Sequence, residues 1–421
     1  MEFHQKGSKL LFQNLFLSEF IFNSSFYLSY MNLNFFFSDQ RLLNGQALTV
    51  RGQLVPSSGS KQAFELLCDS FNIVGDCDYQ NYKIGHMSTI NFDSLREQIH
   101  MRPRVRFFQA MNRVRSQAML AIQMFMTQND FIQVNTPMIT ANDCEGGGEC
   151  FPLHSNNHQE YFGRKTFLTV SGQLHLETMA AAHSKVWNLG PVFRAEKSMS
   201  PKHLSEFLML EVEESFLNKL NPLLDRTETL IKFIAMFLEQ RCEHDLKYIR
   251  EINKFGSLNI QDRFKRITFE DAIEILTNSP EFKDKEITHL NSKMEQALVQ
   301  IMGNIPVFVT HYPSNQKPFY MKSDDNSNSL SFDLLLPIVG EVAGGSLRED
   351  SYEKLQQNIQ HQLSNQTNHQ QLEWYLDLRK FGHAPTGGFG IGFDRLIQAL
   401  TGTANIKDVV PFPRWPYHCY L

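Results

Sequence analysis

The run GGFGIGFDR at residues 387–395, leading directly into the apolar segment 396–400, constrains this chain more than any other feature. It reads as a strand handing over to a helix, a pairing that needs a sheet with helices packed on it. Glycine lacks a Cβ and lets a ligand or another backbone come close. The start of a helix favours anions, and Arg395 adds a cation at that point. The plainer alternative is that the glycines serve close strand–helix packing. The spacing differs from the dinucleotide fingerprint and the run ends in Arg, which excludes that reading.

A second constellation lies upstream. FRAE at 193–196 and EFLMLEVE at 206–213 are two strand-like runs joined by the polar loop 197–204, a hairpin pattern. It offers Arg194 for a phosphate, since the guanidinium fork suits phosphate oxygens. Glu196 can accept from an amino group, and Phe207 presents a flat face to a base. A solvated hairpin with cross-strand ion pairs is the alternative.

Downstream, 306–310 and 331–339 read as buried strands, and Asp333 and Glu341 stand eight residues apart near the ends of an apolar strand and its turn. Two hard carboxylates beside a nucleotide are what Mg²⁺ uses together with phosphate oxygens and water. Gly344-Gly-Ser-Leu-Arg348 places another Arg after a glycine pair. FLTVSGQLHLE at 167–177 begins as an alternating strand and carries Ser171 and Gln173, both able to bind a small polar ligand. The loop DCEGGGEC at 143–150 reads as a mobile lid bringing Glu145 to an ammonium group, or as a surface turn. Cys144, Cys150, His154 and His158 do not have a standard zinc spacing.

Around these motifs the chain is a folded protein of two to three domains, at about 150 residues each. With 40 basic and 45 acidic side chains its formal charge is −5, so nucleic acid would have to be met by local patches. No stretch reaches the roughly 18 apolar residues of a membrane span. Six cysteines lie scattered without a CxxC pair, a pattern of free thiols. Residues 1–44 are assigned to no regular fold: the few early cations and Glu2 and Glu19 count against a presequence, and a targeting segment and a mispredicted amino end stand as the two readings. From residue 45, β-like runs at 47–55, 63–67 and 71–74 suggest part of a small barrel, and 91–104, polar and holding Pro103, reads as a linker. The periodicity of Phe107, Met111, Val114, Ala118, Ile122 and Phe125 predicts a helix over 105–129, followed by a strand at 131–134 stopped at Pro137. Residues 218–292 read as mostly helical, with Thr268 as an N-cap.

The helix–strand ending at Pro137, the Arg194–Glu196 hairpin and the glycine strand–helix with Arg395 together resemble motifs 1, 2 and 3 of the class II aminoacyl-tRNA synthetases. The wider text, including GPVFRAEKSMSPKHLSEFLMLEVE, FDLLLPIVGEVAGGSLRE and NIKDVVPFPRWP, is closer still to the asparaginyl-tRNA synthetases, over about residues 45–421. The resemblance implies an α+β fold, with an antiparallel sheet flanked by helices at 105–421 and a partial OB-fold anticodon-binding domain at 45–90. It implies ATP as substrate, Mg²⁺, tRNA-Asn and asparagine as partners, no membrane, and a homodimer through motif 1. The carboxy-terminal PRWP text is similar to organellar-type members, which implies a mitochondrial location, with the cytoplasm as the alternative.

On this resemblance Arg194 holds the α-phosphate and stabilises the charge of attack. Glu196 reads the adenine amino group, Phe207 and Arg395 sandwich the base, and His203 meets the pyrophosphate. Asp333 and Glu341 carry the metal, while Glu145 and Gln173 bind the two ends of the amino acid. Glu211 accepts from the asparagine amide and repels a β-carboxylate, and Arg348 donates to the amide oxygen. Leu176 stands where aspartyl enzymes carry a lysine, which disfavours an aspartyl-tRNA synthetase; a tRNA-independent asparagine synthetase-like paralogue is the other alternative. Lys202, Asp394 and Thr386 depart from the commoner Arg, Glu and His.

Overall fold

The computed structural model describes residues 45–56, 64–82, 84, 91–142, 150–154, 160–283, 285–363 and 372–421. It divides into two compact units, Met1–Arg106 and Phe107–Leu421.

In the first unit, β1 (Ala47–Pro56) and β2 (Phe64–Gly75) pair antiparallel, with register shifts at Ala47/Leu48 and Arg51/Gly52. Where the sequence suggests two short strands after residue 60, one continuous strand forms. Such a small antiparallel sheet is what an OB-fold contributes. The stretch expected to be a linker instead carries α1 (Phe92–Glu97) and a 3₁₀ turn at Arg102–Arg104. Asn91 caps α1 by accepting from Asp93 N, and Leu95 and Ile99 are buried. Pro103 lies in the first turn of the 3₁₀ segment, where a missing N–H costs nothing, so it does not act as a breaker.

The second unit opens with α2 (Arg106–Gln128), followed by the short strands β3 (Ile132–Gln133), β4 (Ile139–Thr140) and β5 (Phe167–Leu168). Every apolar residue that marked the α2 periodicity is buried. Next come α3 (Gln173–His183), β6 (Lys185–Phe193) and β7 (Glu206–Ser215). The segment from Phe167 begins as a strand, as its alternation suggests, and turns after two residues. Thr169 Oγ1 accepts from Ser171 N at 3.2 Å and Ser171 Oγ from Gln173 N at 3.1 Å, side-chain turns that compete with a ladder. Leu174, Leu176, Glu177 and Ala180 then form the buried face of α3.

Helices α4 (Asn221–Arg241) and α5 (Glu243–Asn253) lead to β8 (Lys265–Thr268) and α6 (Phe269–Thr277). Thr268 caps α6 as expected, in a capping box with Asp271. The chain continues through α7 (Ser292–Ile301), β9 (Val307–Thr310), β10 (Ser331–Leu336) and β11 (Gly340–Leu347). It ends with α8 (Tyr352–Leu363), α9 (Glu373–Lys380), β12 (Thr386–Gly392) and α10 (Phe393–Thr401).

Eight strands form one sheet in the order β3-β6-β7-β12-β11-β10-β9-β8. The six central strands are antiparallel, and β3 and β8 join the two edges in parallel. The expected antiparallel sheet is thus antiparallel at its centre and mixed at its rims. Arg115 of α2 pairs with Asp394 of α10, whose other oxygen accepts from Leu208 N of β7 at 2.9 Å. One buried carboxylate thereby ties together the three elements that resemble motifs 1, 2 and 3. The aspartate at 394 is therefore a structural anchor.

Candidate active site

The open face of this sheet floors a cleft of about 470 Å³. Period two along β7 aims Phe207, Met209, Glu211 and Glu213 into it. Opposite them on β12, Gly392 pairs with Met209, Gly390 with Glu211 and Gly388 with Glu213. The glycines of the opening motif therefore line the floor beside the acidic strand. A Cβ on Gly388 would stand 2.0 Å from Glu213 Oε2, so only glycine fits there.

Across the strands one row runs Asp333–Gly344–Gly390–Glu211–Asn188. Glu341 joins Asp333 on the same face by an irregularity. The register shifts between Leu334 and Leu335, so Leu334 faces Ala343 and Leu335 faces Glu341, leaving Val342 as the extra residue. Such a bulge reverses the side-chain alternation and re-aims the side chains beyond it. Both carboxylates come to Gly344, whose Cβ would lie 3.3 Å from Asp333 Oδ1 and 3.5 Å from Glu341 Oε1. Lys317 Nζ sits 2.8 Å from Asp333 Oδ2. Burial, with Asp333 adding to it, pushes the Glu341 carboxyl up to about 7. Burial also raises Glu295 of α7, which lines the same end of the cleft.

Among the described residues no three His, Cys, Asp or Glu side chains form a metal cage. Two converging hard oxygens are nonetheless a fit for Mg²⁺, which takes its remaining ligands from phosphate and water. Cys144, His158 and Glu145 lie outside the described residues.

The hairpin places its charged residues at the neighbouring end. β6 ends at Phe193, so Arg194 and Glu196 stand in the loop and not on the strand, with Arg194 N donating to Ser205 O at 3.0 Å to close the hairpin. Arg194 lies 3.9 Å from Glu196 and its guanidinium 5.8 Å from the Phe207 ring centroid. His203 Nε2 is 3.8 Å from Glu196, and its Nδ1 is held by Ser198 and Ser200. Burial and the Arg395 charge lower the His203 pKa, which keeps the ring neutral. Arg395, in the first turn of α10, donates to Glu341 O at 2.7 Å and lines the cleft with Phe207.

Beyond the glycines is a buried polar end. Glu211 accepts from Ser171 Oγ and from Gly172 N at 2.9 Å, so the start of α3 is wrapped around this carboxylate. Arg348 is held in a buried ion network. Its Nε and Nη2 donate to Glu213 at 3.1 and 2.7 Å, and Glu177 is 3.7 Å away. Glu177 in turn accepts from Tyr375 Oη at 2.6 Å, Arg379 Nη2 at 3.1 Å and Gln173 Nε2 at 3.1 Å. Burial would lower the Arg348 pKa, but Glu213 reverses this and the net shift is upward. Glu213 is driven up to about 7 by burial, against the pull of Arg348.

The structure thus brings together Ser171, Gln173, Arg194, Glu196, His203, Phe207, Glu211, Asp333, Glu341, Arg348 and Arg395 in one cleft. Sequence reasoning missed Glu213, Glu177, Glu295 and Lys317. The first two carried a usable signal: Glu213 is two residues from Glu211 on one strand, and Glu177 four from Gln173 on one helix.

A family model for class II tRNA synthetases (D, K and N) matches residues 93–416. An asparaginyl-tRNA synthetase of Mus musculus is 39% identical over 401 residues, covering 91% of this chain and 83% of that protein. A probable mitochondrial asparagine–tRNA ligase of Dictyostelium discoideum is 40% identical over 404 residues, covering 91% of this chain and 85% of that one. The crystal structure of asparaginyl-tRNA synthetase from Pyrococcus horikoshii complexed with asparaginyl-adenylate superposes with a TM-score of 0.80 at 28% identity, over 89% of this chain and 84% of that one.

Proposed function

The chain belongs to the class II tRNA synthetases, and within them to the asparaginyl-tRNA synthetases, and from that premise we infer that it activates asparagine with ATP and transfers it to tRNA-Asn. It is an asparagine–tRNA ligase. The observation that carries the site reading is the row from Asp333 to Glu211, with a cation-rich phosphate end and an amide-reading end joined by a glycine floor.

At the phosphate end, Arg194 holds the α-phosphate and Arg395 and Phe207 enclose the adenine. Glu196 accepts from the adenine amino group, and neutral His203 donates toward the pyrophosphate. Asp333 and Glu341 would hold Mg²⁺, which neutralises charge on the ATP phosphates. At the other end, Glu211 accepts from the amide nitrogen and Arg348 donates to the amide oxygen. Gln173, Ser171 and Glu145 receive the backbone groups of the amino acid. The substrate carboxylate then attacks the α-phosphorus and pyrophosphate departs. No enzyme nucleophile is required, since positioning and charge stabilisation do the catalysis.

The antiparallel strands of the first unit are proposed to belong to an OB-fold that grips the anticodon. A homodimer through α2 and β3 is proposed too; the exposed Ile132, Met138 and Ile139 favour it, and light scattering on the purified chain tests it. The mitochondrion is proposed as its place, on the organellar look of the carboxy-terminal text and the name of the Dictyostelium relative. Microscopy of the tagged full chain tests that. Among the described residues no helix is long and apolar enough to cross a membrane.

The decisive experiment is amino-acid-dependent ATP–pyrophosphate exchange, with asparagine and aspartate compared side by side. Exchange with asparagine alone is expected. Exchange with aspartate alone, or with neither, overturns the assignment.

A further inference from the structure

We infer that Glu295 and Gln296 of α7 are positioning residues that hold the β10–β11 turn in the shape that delivers Glu341 to the cleft. The inference deepens the reading of this site as an ATP site and rests on it.

The turn is strained. Ile338 is β-branched and has φ +74, where such a side chain is rarely found. Val339 N donates to Pro337 O at 2.9 Å, which closes a tight turn around it. Gly340 follows at φ +73, and the bulge at Val342 comes directly after Glu341. A backbone of this kind persists only where its surroundings over-determine it.

Helix α7 supplies that restraint from two consecutive residues. Gln296 Nε2 donates to Ile338 O at 3.0 Å, and Glu295 Oε2 accepts from Glu341 N at 3.1 Å. The two bonds hold the turn on either side of Gly340. A Cβ on Gly340 would stand 2.5 Å from Glu295 Oε2, so the carboxylate occupies the space the glycine leaves. The helix is itself fixed. Asn291 caps it by accepting from Lys293 N and Met294 N, and Ala297, Leu298 and Val299 are buried in a core shared with Val307 and Leu335.

The same helix end also receives the motif-2 loop, because Lys202 Nζ donates to Ser292 Oγ at 3.0 Å. Arg395 depends on the turn as well, since its anchor is Glu341 O at 2.7 Å. Loosening the turn therefore moves one carboxylate and one arginine of the phosphate end together. Nothing at the Glu211–Arg348 end is touched.

The test uses the full chain with Glu295→Ala, Glu295→Gln and Gln296→Ala. Binding of Mn²⁺ in the presence of ATP is followed by electron paramagnetic resonance, and KM values by pyrophosphate exchange. Removing an outer partner of a metal ligand typically costs about 10- to 100-fold in metal affinity. Glu295→Ala is expected to weaken Mn²⁺ binding about tenfold or more and to raise KM for ATP similarly, leaving KM for asparagine within about twofold. Glu295→Gln keeps an acceptor oxygen and is expected to recover most of the loss.

Wild-type Mn²⁺ binding in Glu295→Ala overturns the proposal. So does an equal rise in KM for asparagine, or a Glu295→Gln variant as weak as Glu295→Ala, which would make the charge the active feature. Should Glu295→Ala fail to fold, Gln296→Ala carries the test with a smaller shift in the same direction, and a wild-type value overturns the proposal. Absence of asparagine-dependent exchange in the wild type would instead sink the functional reading, a different result from unchanged metal binding in the variants.

Discussion

Asp333 on β10 and Glu211 on β7 stand in one row of the sheet, separated only by Gly344 and Gly390. Three strand spacings of about 4.8 Å put some 14 Å between the two backbones. At that distance the two carboxylates belong to separate ends of the cleft. Each works with its own cations: Lys317 beside Asp333, and Arg348 in the network next to Glu211. The glycines leave a floor without side chains between them.

Filling that floor separates two roles of glycine. A Cβ on Gly390 meets the flexible end of Met209, Sδ at 3.2 Å, so Gly390→Leu is expected to fold with little change in melting temperature. Its side chain blocks the floor, and KM for both ATP and asparagine rises about tenfold or more, for a loss of about 1.4 kcal/mol each. At Gly388 the Cβ would fall 2.0 Å from Glu213 Oε2 and 2.3 Å from Val212 O. Gly388→Ala is therefore expected to cost about 2–3 kcal/mol and lower the melting temperature by about 3 °C or more. Calorimetry with exchange kinetics on both variants checks this, and equal melting losses would contradict the distinction.

Glu211 is the test of amino-acid choice. Ser171 and Gly172 hold the carboxylate so that it can face an amide nitrogen. Glu211→Gln removes its charge and half of its acceptor capacity. Asparagine-dependent exchange is expected to drop about 10- to 100-fold, the worth of one charged hydrogen bond. Because the repulsion of a β-carboxylate also goes, the preference for asparagine over aspartate narrows by about tenfold. Measuring both substrates on one preparation decides it, and an unchanged ratio would remove Glu211 from the specificity argument.

Much of this was legible from residues alone, and the rest had physical reasons for staying hidden. The α2 stripe, the Thr268 cap and the hairpin are local patterns with their own periods, so they read directly. The motif residues Arg194, Phe207 and Arg395 converge as the family resemblance implied. The shared face of Asp333 and Glu341 depends on a bulge, and no alternation rule reveals an extra residue. The acidic partners of Arg348 come from β7 and α3, and α9 enters only by holding Glu177 through Arg379, elements distant in sequence and joined only by packing. The strand that begins at Phe167 ends after two residues because serine and threonine side chains take the backbone donors that a ladder would need.

The buried ion network makes Arg348 sensitive to a change that keeps its charge. Its fork meets Glu213 through Nε and Nη2 and Ser346 through Nη1. A lysine offers one compact ammonium and cannot span those acceptors. Arg348→Lys leaves buried acceptors unmatched and is expected to cost about 2–3 kcal/mol of stability. KM for asparagine rises about 10- to 100-fold while KM for ATP stays within about twofold. Denaturant melts together with exchange kinetics check both halves, and an ATP effect as large as the asparagine effect would contradict the separation of the two ends.

Glu213 supplies a pH dependence whose sign can be worked out. Its carboxyl rises from the ordinary 4.5 to about 7, through burial first and against Arg348. The unfolded chain releases this proton near 4.5 and the native protein holds it until about 7. Between those values the native state binds more protons, so this group lowers stability as pH rises through the window and adds no slope above it. Function runs the other way. Below about 7 the protonated carboxyl loses one acceptor and its charge, which frees Arg348 from its fork. KM for asparagine is therefore expected to rise as pH falls below about 7, by up to about tenfold per unit. Glu341 is also raised to about 7, and with the phosphate-end role proposed for it its effect is expected on KM for ATP. Glu213→Gln should flatten the asparagine profile at the high KM of the acid limb and leave the ATP profile bent. A profile for asparagine that bends equally in Glu213→Gln would show that another group governs the amide end.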